Sequence, residues 1–204
     1  MVDANKPERS ARLIDRHKKN RWSTISEYSE NWVWRNSKLL DLLLSAGLDS
    51  SKLSFTEYGC GPRQHFRELL LKKNPNIEVK VADLEVRCDD CIKVDLDFTN
   101  ITEVLPKTDV AVLSGVVEYL RDPKKTFSRL LDIHNYLLFS YSVLAFESKG
   151  DLDYLSQLFN NRSKLGWKNH LEITDVMSCF KEFGYVIKMG TWEKQLLFLV
   201  VRWD

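Results

Sequence analysis

Two kinds of hydrophobic patterning divide the chain. As far as about residue 50, apolar side chains recur every three or four positions. From residue 53 onward, short unbroken apolar runs alternate with helical stretches. Trp22, Ile25, Tyr28 and Trp32 carry the spacing of one helix face. The run SKLLDLLLSAG follows and predicts a second helix, with Ser37 as N-cap and Gly47 as stop. Residues 1 to about 20 read as a polar arm ahead of these helices.

Strands are predicted over Leu53 to Tyr58, Glu78 to Ala82, Ile92 to Val94, Asp109 to Leu113 and Tyr136 to Tyr141. Helical runs lie between or after them, at Gln64 to Lys73, Pro123 to Ile133 and Asp153 to Phe159. Most of these strands lack alternation, as expected where helices cover both faces of a parallel sheet. The connections should be right-handed crossovers. The end of the chain departs from this rhythm. A helix over Ile173 to Phe183 stops at Gly184, and YVIKMGTWE and QLLFLVVRW follow with no room for a helix between them. They should pair as an antiparallel hairpin. The predicted fold class is α/β: a doubly wound, mostly parallel seven-stranded sheet closed by an antiparallel C-terminal hairpin, preceded by N-terminal helices.

Composition narrows the possibilities. A length of 204 residues suits one domain, with 1–50 as arm and helical lid and 51–204 as the core. The shares of apolar (44%) and charged (29%) residues are those of an ordinary globular chain. Thirty basic against 29 acidic residues give a formal charge of +1, which supplies no general attraction to nucleic acid or anionic lipid. The longest apolar runs, such as Leu196 to Val201, are too short to span a bilayer. The polar, mixed-charge start does not read as a signal peptide, so a cytoplasmic protein is expected. Cys88 and Cys91 form a C-x-x-C with no second ligand pair at zinc spacing, so they, with Cys60 and Cys179, are read without a metal or a disulfide.

The segment FTEYGCGPRQHF, residues 55–66, carries the main chemical signal. A strand runs through Glu57 into a turn at Gly59, Cys60 and Gly61 that opens a helix. Glycines there let a ligand lie directly against the main chain, and the N–H groups at the helix start favour an anionic group. A G-x-G turn alone also serves plain packing. Asp83 ends the second strand in VKVADLEV, 26 residues after Glu57, where a carboxylate can accept both hydroxyls of a ribose. Asp95 follows the third strand in CIKVDLDF, where it can accept from an exocyclic amine of adenine. Leu84 and Leu96, one residue beyond each acid, can sandwich a flat base. The fourth strand, in TDVAVLSGVVEYLRDP, ends at Ser114 and Gly115, small enough for a ligand to approach.

In order along the chain, EYGCGP, VADLEV, VDLDF and DVAVLSGVVEYLRDP resemble the strand ends of class I S-adenosylmethionine-dependent methyltransferases. The resemblance covers residues 53–204 and implies a Rossmann-like methyltransferase fold with S-adenosylmethionine lying across the strand C-termini. It implies that Glu57, Gly59, Cys60 and Gly61 flank the methionine part, Asp83 the ribose, and Asp95 with Leu96 the adenine. One position departs: Arg63 stands where the third glycine of the usual turn is expected. The stretch RSKLGWKNHLEITDVMSCFKEFGY, residues 162–185, is similar to small methyltransferases encoded with glycan biosynthesis genes. That likeness implies a small-molecule or glycan acceptor carrying a hydroxyl.

For an alcohol acceptor, a base that removes the hydroxyl proton contributes roughly 10²–10⁴-fold. His170, in a polar loop and titrating near neutrality, is the first candidate, and Glu118 with Tyr119 comes next. His170 also suits a surface or capping position, and Glu118 a structural one. Trp22, Tyr28, Trp32 and Trp34 could close over the cofactor or simply pack, and Arg35 could meet the cofactor's carboxylate. Two other readings stay open: a nicotinamide-dependent or nucleotide-sugar oxidoreductase, and a methyltransferase-like binding module without activity.

Overall fold

The computed structural model describes residues 30–105, 107–143 and 152–204. Seven strands form one sheet: β1 (Phe55–Tyr58), β2 (Val79–Asp83), β3 (Cys91–Lys93), β4 (Val110–Leu113), β5 (Tyr136–Tyr141), β6 (Gly184–Trp192) and β7 (Gln195–Arg202). Their order is β3-β2-β1-β4-β5-β7-β6. The first five are mutually parallel, and β7 inserts antiparallel between β5 and β6. This is the expected class: a doubly wound, mostly parallel sheet with a C-terminal hairpin. Strand order reverses between β1 and β4, and a sheet of this kind opens its binding crevice there, beyond the carboxyl ends of the strands.

Helices α1 (Glu30–Ser45), α2 (His65–Lys73), α3 (Ile101–Val104), α4 (Pro123–Ile133), α5 (Leu152–Lys164) and α6 (Ile173–Ser178), with short 3-10 turns at Ser50–Lys52 and Val117–Tyr119, complete the described elements. Successive strand residues face opposite layers. Leu137, Phe139 and Tyr141 of β5 join Phe127 and Leu130 of α4 on one face. Leu138 instead joins Leu39 and Leu43 of α1 and Phe66 and Leu70 of α2 on the other. Two apolar layers explain the unbroken strands, since both sides of each one are covered. A buried polar chain ties the sheet to its crossovers: Tyr58 Oη lies 2.9 Å from His134 Nε2, and His134 Nδ1 lies 2.9 Å from Thr108. Burial pushes His134 down to about 4, so it is neutral.

The structure corrects two helices. The stretch bearing Trp32 and the SKLLDLLLSAG run are one continuous helix, so Ser37 lies inside α1 and is not its N-cap. Asn36 Nδ2 donates to the Trp32 carbonyl at 2.8 Å, absorbing a polar side chain that otherwise competes with the helix. Gly47 does stop it, at φ +80°. The last predicted helix ends early, at Ser178, and the chain reaches Gly184 through turns held by Phe183 N–H to Phe180 O (2.8 Å) and Gly184 N–H to Phe180 O (2.9 Å). The N-terminal arm, Trp22, Ile25 and Tyr28 lie outside the described residues.

Candidate functional site

The turn after β1 is shaped by its backbone angles. Gly59 and Gly61 both sit at φ +63°, the left-handed region that glycine enters without strain. A Cβ at Gly59 would meet Val116 Cγ2 at 2.5 Å, whereas nothing lies within 4 Å of a Cβ at Gly61. Gly59 is thus packed against the loop after β4, while Gly61 presents bare main chain to open space. The third left-handed residue is Gln64, at φ +48°, so Arg63 does not occupy a backbone conformation that requires glycine.

Asp83 locks this turn from β2. Its Oδ2 accepts the Gly61 N–H at 2.8 Å and its Oδ1 accepts the Glu85 N–H at 3.2 Å. Each carboxylate oxygen has a second acceptor direction, so two are left for a ligand. Glu57 behaves differently. It is buried, and its two oxygens accept the N–H groups of Phe66 (3.2 Å) and Arg67 (3.0 Å) in the first turn of α2. Burial pushes its carboxyl up to about 7 against those bonds. Both Glu57 oxygens are therefore engaged in anchoring the helix that follows the turn.

Two adjoining cavities open over the strand ends. The first is lined by Gly59, Gly61, Asp83, Leu84, Asp95 and Leu96, with Arg87, Val116 and Tyr119. Its mostly apolar lining with a few polar groups suits a small organic ligand. The second, of about 730 Å³, is lined by Trp32, Arg35, Asn36, Glu57, Cys60, Arg63, His65 and Ser114. Gly59, Gly61, Pro62, Gly115 and Tyr119 belong to both. Every residue assigned to the cofactor from the sequence therefore lies on one continuous pair of cavities. Cys60 also packs with Val81, Cys91 and Cys88, and burial pushes its thiol up.

Arg35 of α1 reaches across the cleft. Its Nε donates to Ser114 Oγ at 2.9 Å and one terminal nitrogen to the Ser114 carbonyl at 3.2 Å. A Cβ at Gly115, φ +68°, would strike the guanidinium at 2.5 Å, so this glycine makes room for Arg35. Trp32 lines the second cavity, but Trp34 is 59% exposed and does not line either one.

The two candidate bases lie elsewhere. Glu118 is buried, accepts the Ser142 N–H at 3.3 Å, and leaves Oε2 without a partner among the described residues. Burial raises its pKa, opposed by Arg35 and Arg162. His170 packs on Phe159 of α5 (4.8 Å between ring centres) and lines neither cavity. Burial lowers its pKa, and Arg162 lowers it further. The G-W-x-N-H stretch instead contributes through Asn169. Its Nδ2 donates to Val117 O (2.8 Å) and Leu120 O (2.9 Å), and its Oδ1 accepts from Tyr141 Oη at 2.6 Å. Tyr141 Oη also accepts the Leu171 N–H at 2.7 Å. Asn169 thus fastens this loop to the ends of β4 and β5. Its neighbour Gly166 sits against the ring of Tyr119, at the wall shared by both cavities.

Arg87 and Tyr119 line the first cavity with little in the sequence to mark them. Arg87 lies in an irregular loop with no motif around it, and Tyr119 stands out only as a base candidate beside Glu118.

No protein-family model matches the chain, and no curated protein matches it. Solved structures do. A S-adenosylmethionine-dependent methyltransferase from Mesorhizobium loti superposes with TM-score 0.60 at 16% identity, over 78% of this chain and 96% of that one. An O-methyltransferase family protein from Burkholderia thailandensis gives TM-score 0.60 at 10% identity, over 91% and 62%. Human N-acetylserotonin methyltransferase in complex with S-adenosylmethionine gives TM-score 0.56 at 14% identity, over 83% and 56%. The chain spans a little over half the length of several of these proteins, including the pyocyanin biosynthetic protein PhzM (55%) and the calicheamicin methyltransferase CalO1 (54%). At such identities the likeness shows a shared fold, the Rossmann-like fold of these methyltransferases.

Proposed function

We propose that the protein is a S-adenosylmethionine-dependent methyltransferase that methylates a hydroxyl of a small-molecule, carbohydrate-derived acceptor. The observation that carries the reading is the convergence of Gly61, Asp83, Asp95, Leu84 and Leu96 on one cavity at the point where strand order reverses. The residues present fit the cofactor. The bare main chain at Gly61 admits a ligand at close range, the remaining lone pairs of Asp83 suit two ribose hydroxyls, and Leu84 with Leu96 offers apolar surface to a purine. Asp95 then takes the adenine amine, and the turn Gly59–Cys60–Gly61 together with Ser114 and Gly115 borders the methionine part.

When bound, this cofactor supplies a methyl group on a sulfonium, a very good leaving group, so the protein's contribution is mainly alignment and exclusion of water. Burial lowers the pKa of His170, which favours the neutral form that a base needs, and its place outside both cavities makes it a candidate for the acceptor side only. Glu118, buried with Oε2 unpartnered among the described residues, is the second candidate. Arg63 does not sit at a left-handed position of the turn, so the missing third glycine is no argument for an inactive binding module. Among the described residues no helix is long and apolar enough to cross a membrane.

Incubation with labelled S-adenosylmethionine and a panel of nucleotide sugars, glycans and hydroxylated metabolites tests this directly. Label transferred to a hydroxyl is the expected result. Calorimetry with S-adenosylhomocysteine and NAD separates the alternatives: binding of NAD alone would indicate an oxidoreductase, and binding of neither would contradict the cofactor assignment.

A further inference from the structure

We infer that helix α1 is part of the cofactor site and reads the amino-acid end of the donor, Arg35 taking the α-carboxylate and Asn36 Oδ1 the α-ammonium. The inference rests on the methyltransferase reading above and adds to it a pair of positioning residues outside the sheet.

It begins with an anomaly in the helix. The face of α1 that packs on the sheet runs through Trp32, Arg35, Asn36, Leu39, Leu40 and Leu43, at the spacing of a single helical stripe. The three leucines are 0–2% exposed and belong to the core. Arg35 and Asn36 continue the same stripe, where packing alone would select apolar side chains. Both line the second cavity, which joins the first across Gly59, Gly61 and Gly115.

Each of the two has unused capacity of the required kind. A guanidinium carries five N–H donors. Arg35 spends two on neutral acceptors of Ser114 and makes no ion pair within 4.0 Å among the described residues, although Glu118 supports its charge at longer range. Asn36 is 3% exposed. Its Nδ2 bond to the Trp32 carbonyl fixes which way the amide points, because a carbonyl can only accept. Oδ1 is therefore a buried acceptor, and it has no partner among the described residues. A buried acceptor left unpaired is costly, and it calls for a donor that arrives with a ligand.

Glu57, the one acid among the described residues lining this cavity, does not fill the role. Glu57 has both oxygens on the backbone of α2. An uncommitted cation beside an uncommitted buried acceptor, on adjacent residues, matches a group that carries a carboxylate and an ammonium on one carbon. The amino-acid end of S-adenosylmethionine is such a group.

Calorimetry on the full chain tests this with two probes: S-adenosylhomocysteine, and 5′-methylthioadenosine, which keeps the adenosine and thioether but lacks the amino-acid end. Wild type should prefer the first. Arg35→Ala and Asn36→Leu should each weaken S-adenosylhomocysteine about 10- to 100-fold, the range of a hydrogen bond to a charged group, and leave 5′-methylthioadenosine within about twofold. Arg35→Lys, which keeps the cation, should recover part of the loss, and it serves as the folded comparator should Arg35→Ala prove unstable. Equal weakening of both probes would overturn the inference by making α1 merely structural, as would no change for either. Wild type binding both probes equally would overturn it while leaving the cofactor reading intact. Binding of neither would remove both.

Discussion

Replacing Glu57 by glutamine should reverse its effect on stability between acid and alkaline solution. The carboxyl is 3% exposed and its two oxygens hold the first turn of α2. Burial raises its pKa from an ordinary 4.5 to about 7, so the folded chain binds more protons than the unfolded one within that window. The unfolding free energy contributed by this group is therefore full below about pH 4.5 and declines as pH rises through about 7. The rise corresponds to about 3 kcal/mol between the two limits. Glutamine has no such decline, but its amide accepts at only one oxygen and so loses one of the two backbone bonds, a cost of roughly 1–2 kcal/mol. Glu57→Gln should thus be the less stable protein near about pH 5 and equal or more stable near about pH 8. Urea unfolding followed by tryptophan fluorescence at several pH values measures the difference. His134, whose depressed pKa gives the opposite slope, titrates alike in both proteins and cancels. A stability difference that does not vary with pH would refute the reasoning, because it would mean that Glu57 carries the same proton affinity folded and unfolded.

Other substitutions probe the remaining links. Gly59→Ala combines φ +63° with a Cβ placed 2.5 Å from Val116 Cγ2, and thermal unfolding should show a loss of roughly 1–3 kcal/mol. Tyr141→Phe strands Asn169 Oδ1 and the Leu171 N–H, so it should cost about 2–4 kcal/mol in urea unfolding and loosen the loop beside Tyr119. Asp83→Asn can keep only one of the two backbone bonds and loses an acceptor for the ribose. Calorimetry should find S-adenosylhomocysteine bound about 10- to 100-fold more weakly. His170→Ala should lower turnover far more than cofactor affinity in steady-state kinetics, and equal loss of both, or of neither, removes it from the chemistry.

The elements that carry the site were legible because each had a strong local signal. Unbroken apolar runs marked the buried strands, and Gly59 and Gly61 marked a turn that needs left-handed backbone. The acids at the ends of β2 and β3 could be set in one cleft because a parallel sheet brings its strand ends together whatever the loop lengths between them. What was misread depended on side-chain direction. Glu57 sits at the right place in the turn, but periodicity does not reveal that its carboxylate turns back into α2. Ser37 resembled an N-cap because nothing local shows that Asn36 satisfies itself within a continuous helix. His170 stands out as a titratable loop residue, while the buried member of the same motif is Asn169, whose three side-chain bonds all reach residues far away in sequence. Arg35 and Asn36 carried the most informative signal, being polar residues on the stripe of a helix otherwise filled by leucine.

A crystal structure with S-adenosylhomocysteine bound would test the central claim most directly. The account places the adenine between Leu84 and Leu96 near Asp95, the ribose on Asp83, and the sulfur beside the Gly59–Gly61 turn. Density for the ligand on any other face of the sheet, or an adenine away from Leu84 and Leu96, would contradict it.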